Sequence, residues 1–352
     1  MNSSIEKVTT PTGEITMVTM TGANGSTVTL SSLGAGIVEV IVPDRLGNLA
    51  DVVLGYRNAA DYMADGPCAG KIPGRYANRI ARGRFSIDGT EYQLAINNGP
   101  NALHGGPTGF QNHIWDVDLN EIDKGVVVFT LQSPDGDEGY PGNLNVKARY
   151  TWADDENCLS LELTAETDKP TVVNLTNHAY WNLDGEGSSD ILSHKLKLNA
   201  SRYVPTDETL IPTGEIAEAK DTPMDFMELR TIGDRINDDY PALKYGKGYD
   251  NCWLVDEYRP EQVKEVAVLQ SEQSGRCLTV RSSQPAVQVY TGNWLDGSPV
   301  AKSGKPYRDY DGVAIECQAV PDSPNQPVFP STRLNPGREY RQVIEFIFTT
   351  IE

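Results

Sequence analysis

Short runs in which apolar and polar side chains alternate recur along this chain: "STVTLSSL", "GVVVFTLQS", "NVKARYTW", "CLSLELTAET", "SHKLKLNA", "AVQVYTGN" and "GVAIECQAV". Alternation with a period of two puts one set of side chains on each face of a strand. The chain carries 32 Gly and 22 Pro, spread evenly between these runs, so strands are interrupted often and no long helix has room to form. That spacing predicts an all-β sandwich or barrel. Only "NAADYMAD" and "DFMELRTIGDRI" read as helical, each good for about two or three turns. Turn residues that tolerate positive φ stand at Asp88-Gly89, in "DGDEGYPGN" from Asp135, and in "LDGEG" at Asp184. No repeat, low-complexity tract or linker-like composition divides the sequence, which predicts a single domain over residues 1–352.

Charge and cysteine usage narrow the function classes. Thirty basic against 49 acidic side chains give a formal net charge of −19, which repels nucleic acid and anionic membranes; an acidic surface is also an ordinary route to solubility. The five cysteines Cys68, Cys158, Cys252, Cys277 and Cys317 are scattered and form no C-x-x-C pair, so they read as buried apolar side chains in a reducing compartment rather than as a disulfide framework or zinc knuckle. The opening "MNSSIEKVTTPTGEI" has no apolar stretch behind a basic start, and no window approaches a membrane-spanning length. A cytoplasmic protein is expected.

Phosphate-binding glycine fingerprints, G-x-S-x-G and histidine pairs at metal-binding helical spacing are all missing. Polar clusters remain, each at a strand end or in a turn. "GRYANRIARGRF" holds Asn78 and Arg79 among four arginines, and a solvated basic turn is the ordinary reading of such a stretch. In "NNGPNALHGGPTGF", His104 is followed by two glycines that permit close approach of a ligand or simply make a turn. "VNLTNHAYWNL" alternates like a strand, with Val172, Asn174, Thr176, His178 and Tyr180 on one face, a face that is usually solvated. "GKGYDNCWL" places Asp250 between a Gly-rich turn and an apolar strand start, Gln288 shares a strand face with Ala286 and Tyr290, and Glu316 shares one with Ala314 and Gln318. Glu is disfavoured inside strands, so Glu316 belongs either to a wet edge or to a site. Two imidazoles, two carboxylates, a guanidinium, amides and aromatic rings suit acid–base chemistry on a neutral polyhydroxylated molecule, and a sugar is the natural inference.

Taken in order, "GRYANRIARGRF", "NGPNALHGG", "DGDEGYPGNL", "VNLTNHAYWNL", "GYDNCWL", "VQVYTGNWLDG" and "ECQAVPDSPNQPVFPSTRLNPG" make the chain resemble the aldose 1-epimerases, or galactose mutarotases, over nearly its whole length. The resemblance implies a β-supersandwich and interconversion of the α and β anomers of free aldoses such as galactose and glucose, with no metal and no other cofactor, by a monomer or homodimer. It implies Glu316 as the general base at the C1 hydroxyl, His178 as the general acid at the ring oxygen, His104 as a second imidazole at the site, and Asn78, Arg79, Asp250 and Gln288 as ligands of the sugar hydroxyls. In that scheme Glu316 is ionised and the neighbouring carboxylate helps to keep His178 protonated. Two stretches depart from the family pattern: Gln111, Asn112 and His113 stand where Asp-Lys is common, and Asn251 where His is frequent. His113 and His194 are expected to play no part. The competing readings are a hexose 6-phosphate epimerase of the same fold, which needs converging basic residues, a sugar-binding module without chemistry, and a glycoside hydrolase using Glu316 and Asp250.

Overall fold

A computed structural model describes residues 1–63 and 65–351. Three sheets account for most of it, with six, nine and five strands. The six-stranded sheet is antiparallel throughout and runs in the order Tyr180–Trp181, Val313–Gln318, Ala286–Tyr290, Asp250–Leu254, Arg202–Val204 and Ala217–Glu218. The nine-stranded sheet contains the long hairpin Leu144–Ala153 and Cys158–Thr167, followed by Tyr340–Thr350, the last strand in sequence, and then Arg276–Ser282. The N-terminal strands, from Asn2–Thr10 to Leu49–Asp51, form the five-stranded meander.

Alternation explains how the sheets meet. Trp253, Val287 and Cys317 lie side by side on one face of the six-stranded sheet, as do Val289 and Ile315, and all are buried. They share one hydrophobic core with Leu278, Val280, Ile344, Phe346 and Phe348 of the nine-stranded sheet and with Val18, Val28 and Val40 of the meander. Trp181 stands between the two large sheets, its ring centroid 5.0 Å from that of Phe346 and 5.5 Å from that of Phe348. The opposite face of the six-stranded sheet carries the row Cys252, Gln288, Glu316 and the row Asp250, Tyr290, Ala314, Tyr180. One face therefore holds the fold together and the other presents polar groups. A mostly-β sandwich of this kind matches the expected fold class.

The alternating runs all become strands, and Asp88-Gly89 closes a two-residue hairpin between Ile87 and Thr90 with positive φ at both positions. Several finer expectations fail. The described part of "NAADYMAD", which leaves out residue 64, forms the 3-10 turn Ala59–Met63, and "DFMELRTIGDRI" gives the short strand Arg230–Thr231 and a 3-10 turn, because Pro and Gly nearby and tertiary pairing override weak helical patterns. The one α-helix among the described residues, Pro241–Gly246, was not anticipated. Pro at its first turn, a favoured position, is the signal that could have found it.

The stretch around His178 is not a continuous strand either. Thr171–Val172 and Tyr180–Trp181 are strands, Asn174 makes a single bridge to Tyr76, and between them both sets of side chains are buried, so no solvated face exists. Asn174 and Asn177 replace ladder partners there: Asn174 Nδ2 donates to Ala77 O at 3.0 Å and its Oδ1 accepts from Ala319 N–H at 2.9 Å, while Asn177 Nδ2 donates to Gly70 O at 2.7 Å. Of the four arginines in the presumed basic turn, Arg82 and Arg84 are exposed. Arg75 and Arg79 are buried, and Arg75 donates to Pro141 O, Gly142 O and Ser133 Oγ. Cys158 is half-buried and the other four cysteines are buried; all five are free.

Because one core draws on all three sheets, we propose that residues 1–352 form one domain that unfolds as one unit. Trp181→Ala should then lower stability by about 3–5 kcal/mol in a single transition followed by both fluorescence and circular dichroism in denaturant. Two separated transitions would contradict the single unit.

Candidate active site

The polar face of the six-stranded sheet floors a cleft of about 910 Å³. Glu316 comes from the strand Val313–Gln318, whose neighbour Tyr180–Trp181 reaches only Val313 and Ala314, yet its side chain is buried opposite Gln288, so the wet-edge reading of its position is wrong. It is 2% exposed. His178 reaches the same floor from the irregular segment before Tyr180, its backbone fixed by His178 N–H donating to Lys71 O and Gly70 N–H donating to His178 O, both at 2.9 Å. The two side chains meet with Nε2 of His178 3.5 Å from Oε1 of Glu316. Glu316 Oε2 and His178 Nδ1 are buried without a hydrogen-bond partner among the described residues. Such unsatisfied polar atoms are costly and point to a functional surface.

His104 lies on the cleft wall, its ring centroid 5.3 Å from that of His178 in an edge-to-face arrangement. It is held by a reciprocal pair of bonds: His104 N–H donates to Asn78 O at 3.0 Å, and Asn78 N–H donates to His104 Nδ1 at 3.1 Å. An Nδ1 that accepts leaves the ring proton of the neutral imidazole on Nε2. Both residues adopt left-handed backbone, with φ of 63° at Asn78 and 51° at His104, a conformation that surrounding contacts must enforce. The two glycines after His104 do not make room for a ligand. A Cβ on Gly105 would lie 1.9 Å from Gly74 O, and one on Gly106 would meet the Glu138 carboxylate, so these glycines let the chain pass close to itself.

On the other side of the floor, Arg79 Nη2 lies 3.6 Å from Asp250 Oδ2, and Arg79 Nε donates to Asn98 Oδ1 at 3.0 Å. Gln288 stands behind Asp250 and donates to its Oδ1 at 2.7 Å, so it reaches the cleft through that carboxylate. Asn78, Arg79, His104, His178, Asp250 and Glu316 thus converge, and Gln288 supports them. Gln111, one of the departures from the family pattern, holds the second imidazole by donating from Nε2 to His104 O at 3.0 Å. His113 is half-buried outside the cleft, with Nε2 2.9 Å from Thr108 O. His194 is fully buried elsewhere and accepts from Leu183 N–H at 2.9 Å.

Sequence reasoning set Tyr180 and Tyr290 on the faces of His178 and Gln288 and counted aromatic rings in the site, but it did not single out Tyr245 or Trp294. Tyr180 and Tyr290 flank His178, at 4.9 Å and 6.3 Å between centroids, while Tyr245 and the 59%-exposed Trp294 stand at the mouth. Lys247 Nζ sits 4.7 Å from the Trp294 ring centroid. Such rings offer faces to sugar C–H groups. Among the described residues no group of three or more His, Cys, Asp or Glu is placed to hold a metal ion.

Burial governs the protonation states. Desolvation lowers His178 to about 4, with the Lys71 charge adding to the effect. Desolvation also raises Glu316 well above the ordinary carboxylate range, helped by Asp250 and opposed by Arg79. His104 is held well below an ordinary imidazole by desolvation and then by His178. Burial thus pushes both groups toward their neutral forms in the free cleft, against the charged pair that the expected roles require.

The sequence model of the aldose 1-epimerase family matches residues 16–346. Galactose mutarotase of Sus scrofa is 41% identical over 322 residues, covering 92% of this chain and 91% of that protein. Aldose 1-epimerase of Escherichia coli strain K12 is 38% identical over 334 residues, covering 94% of each. Among solved structures, galactose 1-epimerase of Lactobacillus acidophilus superposes with a TM-score of 0.86 at 28% identity, over 100% of this chain and 99% of that one. An aldose epimerase homologue from C. elegans gives a TM-score of 0.87 at 32% identity, over 96% and 99%. The fold is that of the galactose mutarotase-like enzymes. The chain belongs to the aldose 1-epimerase family, a family of isomerases.

The protonation states can be read directly. Nitrogen NMR of the His178 imidazole should show it neutral as pH falls through 6.5 and gaining its proton only near about 4. Titration near the unperturbed value of about 6.5 would show that burial does not control the site.

Proposed function

We propose that this chain interconverts the α and β anomers of free aldohexoses, galactose and glucose among them. Glu316 takes the proton from the C1 hydroxyl and His178 protonates the ring oxygen. The ring opens to the aldehyde, rotation about C1–C2 turns its other face to O5, and closure reverses both transfers. His104, with its proton on Nε2, donates to a sugar oxygen, and Asn78, Arg79 and Asp250 bind hydroxyls while Gln288 fixes Asp250. The observation that carries this reading is the buried His178–Glu316 pair, 3.5 Å apart on the cleft floor of a chain in this family.

The proton inventory supports the scheme. One proton shared by the pair can sit on either group without changing the net charge of the site. Before ring opening the reactive form is carboxylate and imidazolium; afterwards it is carboxyl and neutral imidazole. Burial favours the second form, which is also the form favoured in the free cleft, so the pair passes through the charged form during ring opening and returns to the arrangement the cleft stabilises. A phosphate-directed function is disfavoured because Arg79 is the single Arg or Lys lining the cleft and already faces Asp250, with Glu208 and Asp296 also on the wall. The acidic surface and free thiols support a cytoplasmic enzyme acting on a small neutral sugar, as monomer or homodimer, without nucleic-acid or membrane partners. Among the described residues no helix is long and apolar enough to cross a membrane.

The direct test is polarimetry on freshly dissolved α-D-galactose or α-D-glucose. The protein should accelerate mutarotation above buffer, and exhaustive dialysis against EDTA should leave the rate intact; activity restored only by added metal would overturn the metal-free scheme. Glu316→Gln and His178→Asn should each lower kcat by roughly 10²–10⁴ in folded protein. The double variant should lose much less than the product of the two effects, because both transfers serve one ring opening. A folded Glu316→Gln enzyme within about threefold of wild type is incompatible with the general-base role.

A further inference from the structure

A second buried ion pair lies beneath the cleft and is not used by the proton transfers. Lys71 and Asp65 have side chains 1% and 0% exposed. Lys71 Nζ donates to Tyr62 O at 2.6 Å and to Asp65 Oδ1, and Asp65 Oδ2 accepts from Ala69 N–H at 2.6 Å. The Lys71 stem packs on backbone without side chains: a Cβ on Gly34 would lie 2.8 Å from Lys71 Cβ, and one on Gly36 would lie 3.3 Å from Lys71 Cγ. Burying two charges is expensive, and an apolar pair of similar volume would often serve stability as well.

What the pair closes is the segment that builds the floor around His178. Its backbone grips that residue through Lys71 O and Gly70 N–H, and Gly70 O accepts from Asn177 Nδ2. Pro67 O accepts from the Tyr180 hydroxyl at 2.9 Å, and Gly66 and Pro67 form part of the cleft wall. We propose that the Lys71–Asp65 pair is a positioning device for His178: it locks the backbone that holds the imidazole against Glu316 and keeps a positive charge on the residue whose carbonyl accepts from His178 N–H. The proposal rests on His178 having the role described above.

The fixed charge acts on His178 among the other groups that face the ring, which are Glu316, His104, Tyr180 and Tyr290. Of these, Glu316 favours the imidazolium when it is ionised, and Lys71 opposes it. Removing the lysine charge should therefore let His178 protonate at higher pH. Removing the Asp65 charge alone should not, because Lys71 then stands uncompensated. A merely structural pair would move both variants in the same direction.

Wild-type mutarotation is measured first, and its absence would sink the functional reading while leaving the next measurement valid. Nitrogen NMR should show the His178 titration displaced upward in Lys71→Met and unchanged or lowered in Asp65→Asn. In Lys71→Met, kcat should fall roughly 10–100-fold with KM within about threefold, as expected for a misplaced imidazole. If Lys71→Met does not fold, Lys71→Met/Asp65→Leu leaves no unpaired buried charge and should show the same upward titration and reduced kcat. A wild-type His178 titration in the folded lysine variant, shifts of the same sign in Lys71→Met and Asp65→Asn, or wild-type kcat in the neutral double variant would each overturn the proposal.

Discussion

The cross-strand register between Ala286–Tyr290 and Val313–Gln318 sets Glu316 opposite Gln288, and Gln288 in turn opposite Cys252. Side chains alternate with a period of two, so a slip of one residue would send Glu316 into the apolar layer beside Trp181 and bring Ile315 or Cys317 to the cleft. The register is held from the other face, where Val287, Val289, Ile315 and Cys317 meet the nine-stranded sheet. Apolar packing on one side of a single sheet thereby fixes the position of a carboxylate on the other. Gln288 then sets Asp250, and Asp250 faces Arg79.

The same burial that secures the packing shapes the chemistry. In water a carboxylate and an imidazole 3.5 Å apart favour the charged pair; in this cleft desolvation pushes each of the two groups toward neutrality. A sugar that donates one proton and receives another couples to this preference directly. The cleft needs no strongly acidic or basic side chain, because the environment brings two ordinary groups close in proton affinity.

Local rules made much of this molecule legible in sequence. Alternation located the strands of the large sheets, and Asp88-Gly89 located a hairpin, since both follow from backbone geometry over a few residues. Residues 173–179 defeated the same rule, because an apolar–polar alternation there is buried on both sides and the side chains of Asn174 and Asn177 bond backbone groups of adjoining segments. Arg75 and Arg79 defeated composition-based reasoning for a related reason: carbonyls and carboxylates that pair with them come from distant parts of the chain. The convergence of His104, His178 and Glu316 was reached by resemblance to a family, not by spacing. The placement of Gln288 behind Asp250 and the aromatic rim are properties of tertiary packing that no local pattern encodes.

The position of Tyr340–Thr350 bears on how such a chain is made. This strand is the last in sequence, yet it lies inside the nine-stranded sheet, paired with Cys158–Thr167 on one side and Arg276–Ser282 on the other. During synthesis the earlier strands emerge with both of those edges open and with the core beneath Trp181 incomplete, since Phe346 and Phe348 have yet to appear. Pairings this distant in sequence form slowly, and open edges invite association with other chains. Until this strand arrives, the edges of Cys158–Thr167 and Arg276–Ser282 that it pairs stay open to association with other chains.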